Sequence, residues 1–190
     1  AELRRLLTDE HPETRSKSAE LLSAAGSGPE RVTLLSHPEE RVREAALTSL
    51  NDIRNLDVGP YVSSLRPLLG SRDYSTRSFA AIHLTDHFLA RGSEEEIEAL
   101  MKHPDGDVRR WTLERVFGAK DRKPYLPAVA RLLLDPCEEN VRLACLFLCR
   151  QPDADLGDAS RVLNHFRELK IRDDHRMRDI LRRLRGEPSP

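Results

Sequence analysis

The stretch HPEERVREAALTSL, residues 37–50, reads as the turn and second helix of a helical hairpin. Pro38 fixes its own φ and biases His37 away from helix, so a preceding helix must stop there. Glu39 and Glu40 suit the first turn of a new helix, where unpaired N–H groups favour negative charge. Ala46, Leu47 and Leu50 then fall at +3, +4 and +7 from Arg43, one stripe of a 3.6-residue helix.

The same pattern recurs along the chain, in LLTDEHPETRSKSAELL, LLSHPEERVREAALTSL, LLGSRDYSTRSFAAIHL, LMKHPDGDVRRWTLERV and LLDPCEENVRLACLFLC. Each copy is anchored on an arginine: Arg15, Arg43, Arg77, Arg109 and Arg142, with spacings of 28, 34, 32 and 33 residues. Nine before the anchor stands Leu6, Leu34, Leu68, Leu100 or Leu133, followed by Leu7, Leu35, Leu69, Met101 or Leu134. One before it comes Thr14, Val42, Thr76, Val108 or Val141. Three after it the residue is small (Ser18, Ala46, Ala80, Thr112, Cys145), which lets paired helices approach closely. A single hairpin of this kind cannot bury its own apolar face, so neighbouring copies must stack into a continuous core.

These columns, best matched in HPEERVREAALTSL and HPDGDVRRWTLERV, resemble HEAT repeats in the short form found in phycobilin-lyase-like bacterial proteins. The resemblance covers about residues 1–150, and a weaker sixth copy follows, with Arg178 as anchor, Leu169 nine before and Leu181 three after. It implies an all-α fold, a right-handed α-solenoid of about five to six HEAT-type hairpins. The expected organisation is one array over 1–185, with repeats at about 1–27, 28–58, 59–92, 93–122 and 123–152, an atypical cap at 153–185 and a frayed tail at 186–190. The Asp that this motif carries six before the arginine stands only at Asp9; the other copies hold His37, Ser71, His103 and Pro136 there. The anchor arginines are expected to bond turn carbonyls and carboxylates, within and between copies.

Composition narrows the function classes. One residue in three is charged (33%), yet the net charge is −1, which excludes a globally basic nucleic-acid binder. No stretch approaches the roughly 18 apolar residues of a membrane span, and the first residues lack an apolar leader, so a cytoplasmic protein with no membrane contact is expected. Cys137, Cys145 and Cys149 show no CxxC spacing; Cys145 and Cys149, four apart, share one helix face, and all three read as buried thiols in a reducing compartment. His83 and His87, four apart on one helix face, are the one weak metal pair. The HEAT-like metalloenzyme deoxyhypusine hydroxylase uses His-Glu dipeptides, and this chain has none. No cofactor and no catalytic residue is expected. Ser93 and Glu96 read as a helix-capping box.

The partner-binding reading falls on the row at +1, +2, +5 and +9, which lines the concave face of a HEAT solenoid. It is polar in copies 1 and 2 (Ser16, Lys17, Glu20, then Glu44, Thr48, Asp52) and apolar beyond: Phe79 and Ile82, then Trp111, then Leu143 and Phe147, bordered by Asp86, Arg110 and Glu114. An exposed aromatic patch rimmed by charge suits a protein or peptide partner, which makes a non-catalytic scaffold the first expectation. The alternative is packing of the +2 residues into the core between copies. A second expectation is nucleic acid or an acidic partner on the basic C-terminal helices, through Arg176, Arg178, Arg182, Arg183 and Arg185. A lyase-like or metal-dependent activity is the third. Sequence leaves the oligomeric state open.

Overall fold

The computed structural model describes residues 2–26, 28–51, 57–151, 154–168 and 175–187; within these, 28, 29, 31, 32, 48–51, 159, 160 and 175–177 are described by backbone alone. All regular structure among the described residues is helical. The chain packs as two compact units, 1–87 and 88–190, and the boundary falls inside one long helix.

In the first unit, α1 (Glu2–Leu6) pairs with α2 (Pro12–Ala25), and α3 (Gly28–Leu35) with α4 (Glu40–Asn51). A third hairpin follows: a 3-10 turn, α5 (Val62–Leu65) and a second 3-10 turn at Arg66–Gly70 make its first arm, and α6 (Tyr74–Arg91) makes its second. Second helix packs on second helix, α2 against α4. The close approach depends on the small column, since Ser18, Ala19, Ala46, Ala80 and Ala81 are all buried.

The second unit repeats the plan. α7 (Glu94–Met101) pairs with α8 (Gly106–Phe117), α9 (Leu126–Arg131) with α10 (Glu138–Leu148), and α11 (Ala159–Glu168) with α12 (His175–Leu184). α8 packs on α10, and α10 on α12. Val108, Thr112, Leu113 and Val116 on α8 and Val141, Ala144, Cys145 and Leu148 on α10 fill the core between them. Each unit is thus a stack of helical hairpins, the packing of an α-solenoid.

Three local readings change. α6 ends at Gly92, whose φ of 64° allows the Gly92 N–H to bond Leu89 O and the Ser93 N–H to bond Phe88 O. That closing bond occupies the backbone N–H a capping box needs, and Ser93 caps α7 without a side-chain bond. In copy 5 the buried leucine pair is Leu132 and Leu133, with Leu134 half-buried, and the residue four after the N-cap Cys137 is Val141. Val141 therefore holds the anchor position, and Arg142 lies one residue beyond it, pairing with Glu138 on the helix surface at 2.7 Å. The sixth copy slips likewise: Ile180 and Leu184 are its buried pair while Leu181 is half-buried, and Leu169 lies outside the described residues.

Candidate functional site

The turns that join the two arms of the first four hairpins are held by one recurring device. The Nη1 of Arg15 donates to Asp9 O at 2.5 Å and Glu10 O at 3.0 Å. Arg43 donates in the same way to His37 O (2.8 Å) and Pro38 O (2.9 Å), Arg77 to Ser71 O (2.9 Å) and Arg72 O (3.0 Å), and Arg109 to His103 O (2.6 Å) and Pro104 O (2.9 Å). The Nε/Nη2 edge is then turned toward the following turn: Arg15 grips both oxygens of Glu39, and Arg109 both oxygens of Asp135. This bond holds the Glu39 carboxyl below the usual carboxylate range. The anchors are framework, as read from sequence.

The residue six before each anchor supplies a second bond. Asp9 Oδ1 accepts from the N–H of His11 (2.9 Å), His37 Nδ1 from Glu39 (3.2 Å), Ser71 Oγ from Asp73 (3.2 Å) and His103 Nδ1 from Asp105 (3.2 Å). In copy 5, counted from Val141, that residue is Asp135 and not Pro136; its Oδ1 accepts from Cys137 at 2.8 Å. Burial pushes His103 below the ordinary imidazole value of 6.5, against a smaller upward pull from Asp105.

The expected exposed aromatic row is not a surface patch. Phe79, Trp111 and Phe147 are 5%, 5% and 2% exposed, and Ile82 and Leu143 are half-buried. The small residue at +3 draws the helices so close that the long side chains of Phe79 and Trp111 at +2 fold into the packing, and Phe147 does the same from its own helix. Phe79 lies 4.2 Å from the ring of His83, and Phe147 meets Phe117 edge-on at 5.5 Å. Arg110 covers the Trp111 ring at 5.7 Å and pairs with Asp107 at 3.2 Å. Glu114 is exposed and Asp86 half-buried. In copies 1 and 2, Lys17 pairs with Glu20 at 2.7 Å and Glu44 is exposed; the Thr48 side chain and Asp52 lie outside the described residues.

The first unit nevertheless carries an open cleft of about 660 Å³ between α4 and α6. Leu47, Phe79, Ile82 and His83 line it with Glu44, Ser75, Ser78 and Tyr74. Tyr74 is 51% exposed, with the Arg77 guanidinium 6.0 Å from its ring centre. The row therefore contributes recessed walls, Phe79 and Ile82, and the exposed aromatic comes from the first residue of α6. Sequence reasoning passed over Tyr74, although an aromatic three before the anchor, where the other copies hold Pro12, Glu40, Gly106 and Glu139, was a usable signal.

The remaining candidates separate. His83 faces the cleft, whereas the His87 ring lies against Gly59, where a Cβ would come within 3.2 Å of its Cε1. Among the described residues no three His, Cys, Asp or Glu side chains converge as a metal would need. On α12, Arg183 is framework: it donates to Leu148 O (2.9 Å) and Ala154 O (2.8 Å), tying the last helix to the end of α10. Arg178 and Arg185 are exposed and Arg182 is half-buried, with Asp179 3.9 Å from Arg182 and Glu187 3.7 Å from Arg185. The side chain of Arg176 lies outside the described ones. No described helix is long and apolar enough to cross a membrane.

Among solved structures, the chain resembles YibA of Escherichia coli, with a TM-score of 0.51 and 20% identity over 93% of this chain. It spans 66% of the YibA chain. An engineered protein matches 97% of the chain at 19% identity and a TM-score of 0.49. The likeness to YibA is one of fold: an all-helical, repeat-like architecture. No protein-family model matches the chain, and no curated protein does.

Proposed function

We propose that this is a HEAT-type scaffold of the cytoplasm that binds another protein without catalysis, and that the α4–α6 cleft is where it holds a segment of that partner. The observation that carries the reading is the cleft's make-up. Apolar walls from Leu47, Phe79 and Ile82 lie below an exposed ring, Tyr74, with Glu44, Ser75 and Ser78 offering polar contacts at the same opening. Concave sites of this kind combine apolar burial with a few orienting polar groups. Ile82 and Tyr74 have surface to lose to a partner, and full burial of such a side chain contributes about 1.5–3 kcal/mol.

The test uses side chains that the fold does not depend on. Affinity capture with the wild-type chain, identified by mass spectrometry, is compared with Ile82→Glu and Tyr74→Ala. A partner retained by the wild type and lost from both variants, with unchanged circular dichroism and melting, supports the cleft. A partner held equally by all three removes it.

A second reading rests on α12. Arg178, Arg182 and Arg185 fall at i, i+4 and i+7, one stripe opposite the buried Ile180 and Leu184. Three arginines so aligned can meet successive phosphates. This reading expects nucleic-acid affinity that drops steeply with salt and disappears in Arg178→Glu/Arg182→Glu/Arg185→Glu.

A further inference from the structure

Arginine in this chain ordinarily has a carboxylate. Arg15 is paired with Glu39, Arg109 with Asp135, Arg110 with Asp107, Arg131 with Glu98 and Arg142 with Glu138. Arg122 and Arg150 depart from that habit. Among the described residues neither has an acidic partner. Both lie instead on one aromatic ring, with each guanidinium Cζ 5.2 Å from the ring centre of Phe117.

The two arginines come from different copies. Arg122 stands between α8 and the 3-10 turn at Lys123–Tyr125, and Arg150 follows the end of α10. Phe117, the last residue of α8, brings them together. The ring is itself held, half-buried and edge-on to the buried Phe147 at 5.5 Å. An aromatic face attracts a guanidinium. Two guanidiniums on one ring repel each other, and the ring carries no net charge to neutralise them.

Capping does not account for the pair. Cations favour helix C-termini, yet the carbonyls that close α10 are already bonded. Cys145 O accepts from the Cys149 N–H, Phe147 O from the backbone N–H of Arg150, and Leu148 O from Gln151 and Arg183. Arg122 gives only its Nε to a carbonyl, Ala119 O at 3.3 Å. Its two Nη groups and the whole Arg150 fork have no hydrogen-bond partner among the described residues. The acids nearest in sequence do not answer them: Asp121 Oδ1 accepts the Lys123 N–H at 3.0 Å, and Glu114 is exposed. Lys120 and Lys123, on either side of Arg122, add to the positive surplus.

We propose that Arg122 and Arg150, mounted on Phe117, bind the carboxylate side chains of an acidic protein segment, one carboxylate to each guanidinium. The chemistry follows the chain's own usage. Its arginines are matched by Glu or Asp, in Arg109–Asp135 through two parallel bonds, and a carboxylate satisfies the planar fork in that way. A nucleic-acid backbone calls for a row of cations along it, whereas these two share a single ring. The site lies wholly within the second unit and is independent of the α4–α6 cleft, so either can fail without the other.

Fluorescence anisotropy on the full chain at low salt tests it, with a labelled hexaglutamate peptide as probe and a Gly-Ser peptide of the same length as control. The acidic peptide should bind and the control should not. Arg122→Gln/Arg150→Gln should weaken binding at least about tenfold with an unchanged helical spectrum. Should the double variant fail to fold, Arg150→Gln alone, at an exposed side chain that bonds no backbone, should weaken it about tenfold. Arg178→Gln/Arg185→Gln should leave binding unchanged, which separates the site from general attraction to the basic last helix. No preference for the acidic peptide overturns the proposal, as does equal binding by wild type and the Arg122 and Arg150 variants, or an equal loss from the α12 pair. So does a phosphoserine peptide or a single-stranded oligonucleotide that binds through the two arginines where hexaglutamate does not, since the pair would then be a phosphate site.

Discussion

Arg109 and Asp135 meet through two parallel hydrogen bonds, Nε to Oδ2 at 2.6 Å and Nη2 to Oδ1 at 2.8 Å, with side chains 10% and 1% exposed. The same guanidinium holds the turn at His103 and Pro104, and the same carboxylate holds the turn at Cys137. One ion pair thus joins copy 4 to copy 5 at their turns. Removing one member leaves the other charged and out of water. Asp135→Ala is expected to cost about 3–5 kcal/mol in urea unfolding. Arg109→Met/Asp135→Leu, which removes both charges, should cost less than Asp135→Ala alone.

Arg43 shows the same device left incomplete. It holds its own turn, but its Nε is buried without a hydrogen-bond partner among the described residues, and Ser71 occupies the position that Asp135 fills opposite Arg109. Ser71→Asp is expected to keep the bond to the Asp73 N–H and supply the missing carboxylate. A gain of about 1 kcal/mol in unfolding free energy is expected, and it should vanish in an Arg43→Met background.

His103 makes the fourth turn sensitive to acid. Its Nδ1 accepts the Asp105 N–H, so the bond requires that nitrogen unprotonated, and burial lowers the folded pKa below 6.5. The unfolded chain then binds the proton more readily than the folded one. The contribution of His103 is complete above about pH 6.5 and is lost as pH falls through its folded pKa. His103→Asn keeps an acceptor at the same place without the titration. Unfolding curves at neutral and mildly acidic pH should therefore converge in the variant relative to the wild type, and a histidine resonance titrating at or above the ordinary value would sink the argument.

Phe79 and Trp111 serve the core. Phe79→Ala and Trp111→Ala should each lose about 3–5 kcal/mol of stability. A calorimetric melt that leaves either variant unchanged would return that residue to the surface.

The repeat was legible because steric demands leave a compositional mark. Only a small residue at +3 allows close helix approach, so Ser18, Ala46, Ala80 and Thr112 announce the fold without any knowledge of their neighbours. The fifth register slipped because Arg142 stands beside the true anchor position, and Val141 there carries no hint of the bonds it cannot make. The direction of the +2 side chains was not legible, since it depends on how far each helix rolls against the next. Phe79 and Trp111 could therefore be read as a surface patch or as core, and they are buried, while Tyr74, the first residue of α6, was a ring left in solvent. The Arg183 bonds to Leu148 O and Ala154 O were equally invisible, because backbone carbonyls have no sequence identity.

The residues that accept the turn N–H, Asp9, His37, Ser71, His103 and Asp135, have a consequence for how such chains drift. By charge or volume an acid, an imidazole and a hydroxyl are poor substitutes for one another. What the turn selects is a lone pair at a fixed reach from the backbone, and all three offer it. Divergence at this position can therefore be rapid on paper and silent in three dimensions, so that kinship among such repeats outlives the letters that would reveal it.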